Sequence, residues 1–268
     1  MQEQPIVEVR DLVKLFGEQA AVDHISFAVK PGEVFGLLGP NGAGKSTTIK
    51  ILTTLLPPTS GYASVVGFDV TKQPMAVRRR IGYVPQALSA DGNLTGYENL
   101  LIFARLYDLP REERGPKARQ ALQFMGLQEA ADKLVRTYSG GMIRRLEVAQ
   151  AMLHQPQVLF LDEPTVGLDP VARRAVWEHL EELRKQSGMT ILLTTHYMEE
   201  ADSLCDRVAI MHLGKIMAIG SPIELKAGIG GEETTLDDVF THYTGNMLET
   251  GGSYRDTART RRTARRLG

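Results

Sequence analysis

The 268-residue chain is poor in cysteine, tryptophan and aromatic side chains: one Cys, one Trp, and 6% Phe, Trp and Tyr together. With Cys205 alone no internal disulfide can form, so an apolar core must hold the fold, as expected in a reducing compartment. Cys205 falls in a helical-looking stretch, Ala201–Val208, where a packing role is expected rather than a reactive one. No apolar run approaches the ~20 residues that cross a bilayer. The polar start Met1-Gln2-Glu3-Gln4-Pro5 is not expected to act as a signal peptide. No internal repeat occurs, so any nucleotide motif is present once. Charge of one sign is also lacking overall, the net being −1. That balance is uneven: residues 253–268 carry six arginines against Asp256 alone, +5, which leaves −6 on the rest. An acidic body argues against a nucleic-acid surface spread over the fold. The arginine tail is expected to seek an anionic membrane or a partner, and no nucleic acid is expected.

What is present begins with Gly39-Pro40-Asn41-Gly42-Ala43-Gly44-Lys45-Ser46-Thr47, directly after the apolar run Val34–Leu38. A strand that breaks into a Gly-rich loop and restarts as a helix is the context of a phosphate-binding loop. Its inward N–H groups form a nest, and the helix N-terminus adds a partial positive charge. Lys45 supplies a full charge for the β- and γ-phosphates, and the Ser46 hydroxyl is placed to ligate Mg²⁺. The expected ligand is a nucleoside triphosphate.

Around this loop the patterning reads as an α/β domain. Ile6–Val13 and Val22–Val29 alternate as half-buried antiparallel strands do, and Ile81–Val84 is a short core strand ended by Pro85. From about Leu88 to Gln155 the period turns helical. Thr95 and Glu98 have capping-box spacing, Pro110 is expected to close that helix, and Gly126 to cap a second one through Ala118 and Leu122. Val158–Leu161 and Thr190–Thr194 read as buried parallel strands separated by a helix over Val171–Lys185.

Two further segments carry chemistry. Val158–Leu161 runs into Asp162 and Glu163. In a P-loop NTPase the carboxylate at such a strand end holds Mg²⁺, which assigns Asp162 to the metal. Neighbours on a strand point to opposite sides, so Glu163 is expected to do a different job, that of general base for the attacking water. Tyr138-Ser139-Gly140-Gly141-Met142 precedes an amphipathic helix and forms a second anion cradle. One P-loop needs one cradle, so the second is expected to serve a nucleotide held by another subunit.

In order and spacing, these motifs resemble those of the ATP-binding-cassette (ABC) family of transporter nucleotide-binding subunits, over roughly residues 6–222. The resemblance implies a P-loop NTPase fold with an antiparallel β subdomain, a parallel-sheet core and a helical subdomain. It implies ATP and Mg²⁺ as cofactors and Phe16 stacking on adenine. Gln86 would be the Q-loop residue near Mg²⁺, Tyr138–Met142 the signature, Asp169 part of the D-loop, and His196 the switch histidine at the γ-phosphate. Tyr138 and Met142 depart from the usual Leu-Ser-Gly-Gly-Gln. With Arg144-Arg145-Leu146, Thr165–Pro170 and Thr195–Asp202, they look like the drug-resistance exporter group typified by the daunorubicin exporter ATPase. Exporters of sodium, lipid or polysaccharide share much of this pattern.

The implied organisation is an ABC ATPase domain over 1–230, with a helical subdomain at about 88–157. A short helical extension over 231–252 and the Arg-rich tail 253–268 follow. One short apolar-faced helix, with Leu236, Val239, Phe240 and Tyr243, must dock on the cassette or its mate. The implied function is a peripheral ATPase on the cytoplasmic face of the membrane. It would pair as a homodimer and drive separate ABC-2-type permease subunits that export a drug-like or lipidic cargo. The alternative is a soluble ABC ATPase of DNA repair or translation. Against it stand the spacing of Thr47 and Ser139, only 92 positions apart with no long coiled coil between them, and the single cassette.

Overall fold

The computed structural model describes residues 4–230 and 234–248; the arginine-rich stretch 253–268 lies outside the described residues. In chain order the elements are β1 (Val7–Phe16), β2 (Gln19–Val29), β3 (Val34–Leu38), α1 (Lys45–Leu52), β4 (Ser60–Val65), β5 (Phe68–Asp69), α2 (Pro74–Arg78) and β6 (Ile81–Val84). The helical stretch follows as α3 (Gly96–Leu106), α4 (Arg111–Phe124) and α5 (Gly140–Met152). Then come β7 (Val158–Asp162), α6 (Pro170–Ser187), β8 (Thr190–Thr195), α7 (Met198–Leu204), β9 (Arg207–His212), β10 (Lys215–Gly220), α8 (Pro222–Ala227) and α9 (Leu236–Leu248).

Two sheets form the frame. One is antiparallel, in the order β2-β1-β4-β5; the other runs β10-β9-β3-β8-β7-β6, with β9 through β6 parallel and β10 antiparallel at its edge. The inner strands β3, β7 and β8 are buried along their whole length, and mostly apolar, because both their faces are covered. Phe35, Leu37, Val158, Phe160 and Leu192 point into a core shared with the antiparallel sheet and α1. Val34, Leu38, Leu159, Leu161, Ile191 and Leu193 point into a second core under the helices. Each such buried side chain contributes roughly 1.5–3 kcal/mol by removal from water.

Parallel pairing sets which residues end side by side. Leu38 lies opposite Thr195, Asp162 opposite Thr194, and Val84 opposite Leu161. The loops leaving β3, β6, β7 and β8 therefore emerge together at the carboxyl edge of the sheet, where open α/β sheets bind their ligands.

Two local expectations are corrected. The helix begun by the Thr95–Glu98 capping box ends at Leu106, before Pro110, and Asp108 turns the chain with φ 54°. Pro110 instead caps the start of α4, since a residue with no N–H is best tolerated where a helix begins. The stretch Ala201–Val208 is not one helix: α7 stops at Leu204, and Arg207 and Val208 already belong to β9. Cys205 sits at that junction, and a Cβ on Gly36 would lie 2.7 Å from its Sγ, so the thiol fills the space beside a strand glycine. Burial pushes the thiol well above its ordinary value, which suits packing and not nucleophilic chemistry.

The terminal helix α9 docks on the cassette. Leu236 and Val239 are buried in the helix-side core, with Phe240 and Tyr243 packed against it. Thr235 and Asp238 cap its start: the Asp238 amide donates to Thr235 Oγ1 at 3.2 Å and the Thr235 amide to Asp238 Oδ2 at 3.0 Å.

Candidate active site

The loop between β3 and α1 passes between two backbone walls, and this dictates its glycines. Gly44 stands before the first turn of α1 with φ 101°, and a Cβ there would lie 2.4 Å from the Ala21 carbonyl oxygen. At Gly39 a Cβ would lie 2.2 Å from the carbonyl oxygen of Met211, at the end of β9. A larger residue at either position would push the loop off its seat.

Lys45 opens α1 and is buried. Its Nζ donates to the carbonyl oxygens of Gly39 (2.8 Å) and Pro40 (3.0 Å) and lies 3.2 Å from Glu163 Oε1. Ser46 Oγ donates to Asp162 Oδ1 at 2.8 Å, and Thr194 Oγ1 donates to the same oxygen at 2.7 Å. Gln86 Nε2, from the loop after β6, donates to Glu163 Oε2 at 3.1 Å. His196, just past β8, brings Nδ1 to 3.4 Å from Glu163 Oε1 but without hydrogen-bond alignment. Lys45, Ser46, Gln86, Asp162, Glu163 and His196 thus meet in one network.

Strand alternation does not divide Asp162 from Glu163. β7 ends at Asp162, and Glu163 takes φ 49°, so the chain turns and both carboxylates face the P-loop. That left-handed conformation is uncommon for a non-glycine residue. It is held by the Glu163 amide, which donates to Thr194 Oγ1 at 2.9 Å. Thr194 is the residue that motif reading missed. Its hydroxyl donates to one carboxylate and accepts from the next residue's amide, and its only trace in the sequence was a polar residue closing an apolar strand. Tyr83, partly buried below Asp162, has its phenol pushed up to about 12 by burial first and by the Asp162 charge second.

The network opens into a cleft of about 600 Å³ lined by Asn41 to Thr47, Gln86, Glu163 and Ala21, with Phe16 at its lip. Phe16 is 54% exposed, and Lys14 Nζ lies 5.4 Å from the centre of its ring. An exposed aromatic face beside an anion-binding loop has the form of a base-stacking platform. Among the described residues no group of three or more His, Cys, Asp and Glu could hold a metal by itself. One hydroxyl hydrogen-bonded to one carboxylate is the partial oxygen set that suits Mg²⁺ when substrate phosphates complete its shell.

Ser139, Gly140, Gly141 and Asp169 do not line this cleft. Ser139 caps α5 by accepting the Met142 amide at 3.3 Å, and Asp169 caps α6 by accepting those of Val171 and Ala172 at 3.0 and 2.9 Å. The two caps pack together: a Cβ on Gly140 would lie 3.2 Å from Leu168, and one on Gly141 2.9 Å from Ala172.

The family model described as "ABC transporter" matches residues 22–166. The chain belongs to the ABC transporter family. The linearmycin resistance ATP-binding protein LnrL of Bacillus subtilis is 41% identical, over 85% of this chain and 73% of its own length. The daunorubicin/doxorubicin resistance ATP-binding protein DrrA of Streptomyces peucetius is 47% identical over 84% and 68%. A solved dimeric, post-hydrolysis ATP-binding cassette bound to ADP and Pi superposes with a TM-score of 0.71 at 27% identity, covering 80% of this chain and 98% of that one. The ABC chain described here is an ATP-hydrolysing subunit with the fold its motifs implied. The rival reading, repair or translation, gains no support from these relatives. Among the described residues no helix is long and apolar enough to cross a membrane.

Proposed function

We propose that the chain is the ATPase of an exporter and that two copies close head-to-tail on two ATP molecules. The observation that carries this reading is the convergence of Lys45, Gln86 and His196 on Glu163, beside the Ser46–Asp162 pair. Lys45 would neutralise the β- and γ-phosphates, and the backbone from Gly39 to Thr47 would cradle them. Ser46, Asp162 and Gln86 would hold Mg²⁺, which when bound supplies charge neutralisation at the phosphates. Phe16 would stack on adenine. Glu163 would take the proton of the attacking water, with His196 steadying the γ-phosphate side.

Ser139, Gly140, Gly141 and Asp169 stand outside their own cleft, so they would act in the mate's site. The solved relative bound to ADP and Pi is a dimer, which supports the pairing of two copies. The resistance names of these relatives favour a drug-like cargo; the proposal includes a lipidic one as well, carried by separate permease subunits of the ABC-2 type. The chain would sit on the cytoplasmic face of the membrane through those subunits.

The test is Glu163→Gln. Loss of the base should lower turnover by at least ~10²-fold while ATP affinity stays near wild type. The variant should also accumulate an ATP-bound dimer on gel filtration. Wild-type turnover would remove Glu163 from the chemistry.

A further inference from the structure

Behind the site lies a buried ion pair to which the ATPase roles above give no task. Arg144 and Glu147, one turn apart on α5, are each 2% exposed. Arg144 Nη1 donates to the Pro85 carbonyl at 2.7 Å and Nη2 to the Gln86 carbonyl at 2.9 Å. Nη1 also lies 3.0 Å from Glu147 Oε2, where the alignment is too poor for a hydrogen bond and the attraction is coulombic. Glu147 Oε1 accepts from the Ser89 amide and from Ser89 Oγ at 3.1 Å. Next along, Asn99 of α3 accepts the Asp91 amide at 3.0 Å, donates to the Asp91 carbonyl at 2.9 Å and accepts from Gln150 of α5 at 3.3 Å. The backbone of residues 85–91 is therefore fastened to α5 and α3, while the Gln86 side chain reaches across to Glu163 at 3.1 Å.

Packing alone does not require these charges. Desolvating a buried pair costs about as much as its attraction returns, and apolar residues of similar volume often hold a core equally well. A guanidinium fork set on two consecutive carbonyls supplies what an apolar contact lacks, a fixed register between helix and loop. Burial draws the Arg144 guanidinium below its ordinary value, and the charges of Glu147 and Asp162 act against that, so Arg144 also lies within the field of the proposed metal carboxylate.

We propose that Arg144 and Glu147 are positioning residues that make Gln86 ride with the helix opened by Ser139, so that movement of Ser139 onto the mate's nucleotide shifts Gln86 against Glu163. Arg144 lies five positions after Ser139, less than two turns along α5. A displacement of the helix start thus passes to the Gln86 carbonyl through rigid backbone and one planar side chain. The inference rests on the roles proposed above for Glu163, Gln86 and Ser139.

The test uses the full-length chain with MgATP and compares Arg144→Met/Glu147→Leu, Arg144→Lys and Glu163→Gln. Turnover is followed by phosphate release, ATP affinity by displacement of a fluorescent ATP analogue, and folding by thermal melting. The double variant should keep its ATP affinity and melting temperature and lose about 10-fold or more in kcat, the loss expected when a catalytic contact is misplaced by a fraction of an ångström. Arg144→Lys, which can still reach one of the two carbonyls, should recover part of that loss. A double variant that turns over at the wild-type rate while Glu163→Gln is inactive would overturn the positioning role and leave the ATPase reading standing. Wild-type turnover in Glu163→Gln would overturn that reading and the inference with it. ATP affinity falling in step with kcat would mean a merely structural pair and would also overturn the inference. If the double variant melts too early to assay, Arg144→Lys decides: reduced kcat at unchanged ATP affinity supports the role, and unchanged kcat refutes it.

Discussion

Thr194→Val removes one hydroxyl and almost no volume, so it isolates the hydrogen bonds of a fully buried group. Two are lost. The first, Thr194 Oγ1 to Asp162 Oδ1 at 2.7 Å, is charge-assisted and stabilises by about 1.5–3 kcal/mol. The second is the Glu163 amide to Thr194 Oγ1 at 2.9 Å. That amide keeps a longer bond to the Thr194 carbonyl at 3.2 Å, so its loss adds only a fraction of a neutral bond. The sum is about 2–3 kcal/mol, and at ~2–4 °C per kcal/mol for a domain of this size the melting temperature should fall by roughly 4–12 °C. Turnover should fall further than stability explains, because the same hydroxyl holds Glu163 in its left-handed turn. Differential scanning calorimetry and a phosphate-release assay well below melting measure the two effects. Thr194→Ser, which keeps the hydroxyl, serves as the control. Melting within about 1 °C of wild type together with unchanged turnover would refute the view that Thr194 organises the two carboxylates.

Glu200, buried on α7, accepts from Thr165 Oγ1 and Trp177 Nε1, both at 2.9 Å, while its other oxygen has no partner. Burial raises its folded pKa above the ordinary 4.5, against the hydrogen bonds from Trp177 and Thr165 and the charge of Arg173. Its contribution is therefore complete below the unfolded value and is lost as pH rises through the folded one. Glu200→Gln should gain on wild type in calorimetry as pH rises from about 4.5, then level off; a pH-independent difference would contradict this. Gly44→Ala forces a Cβ to 2.4 Å from the Ala21 carbonyl at φ 101°. Strain of at least ~1–3 kcal/mol should weaken ATP binding by roughly 10-fold or more in equilibrium dialysis; normal affinity would mean the loop has room to shift.

The sequence by itself determined the chemistry. Gly39 to Thr47 after an apolar strand named a phosphate ligand, because only that order of strand, glycine loop and helix presents so many N–H groups to one anion. Asp162 and Glu163 at the end of Val158–Leu161, and the order of the later motifs, named the family. Local signals also fixed the Thr95–Glu98 and Thr235–Asp238 capping boxes, whose partners are three residues apart.

What the tertiary structure decided was everything set by sheet order and by contacts between distant segments. The order β3-β8-β7-β6 brings Gly39, His196, Glu163 and Gln86 to one edge, and no local pattern encodes which parallel strand lies beside which. Strand alternation alone would turn the general base Glu163 and the metal carboxylate Asp162 to opposite sides. A backbone φ of 49°, held by the side chain of Thr194 31 positions away, brings both to face the P-loop. In the sequence Arg144 entered only through the exporter resemblance, and Glu147 gave no signal. Only burial between α5 and the loop after β6, 58 positions earlier for both, made them a clamp on Gln86. Hydrophobic periodicity records which face of an element is covered, but the identity of the covering residue belongs to the whole chain.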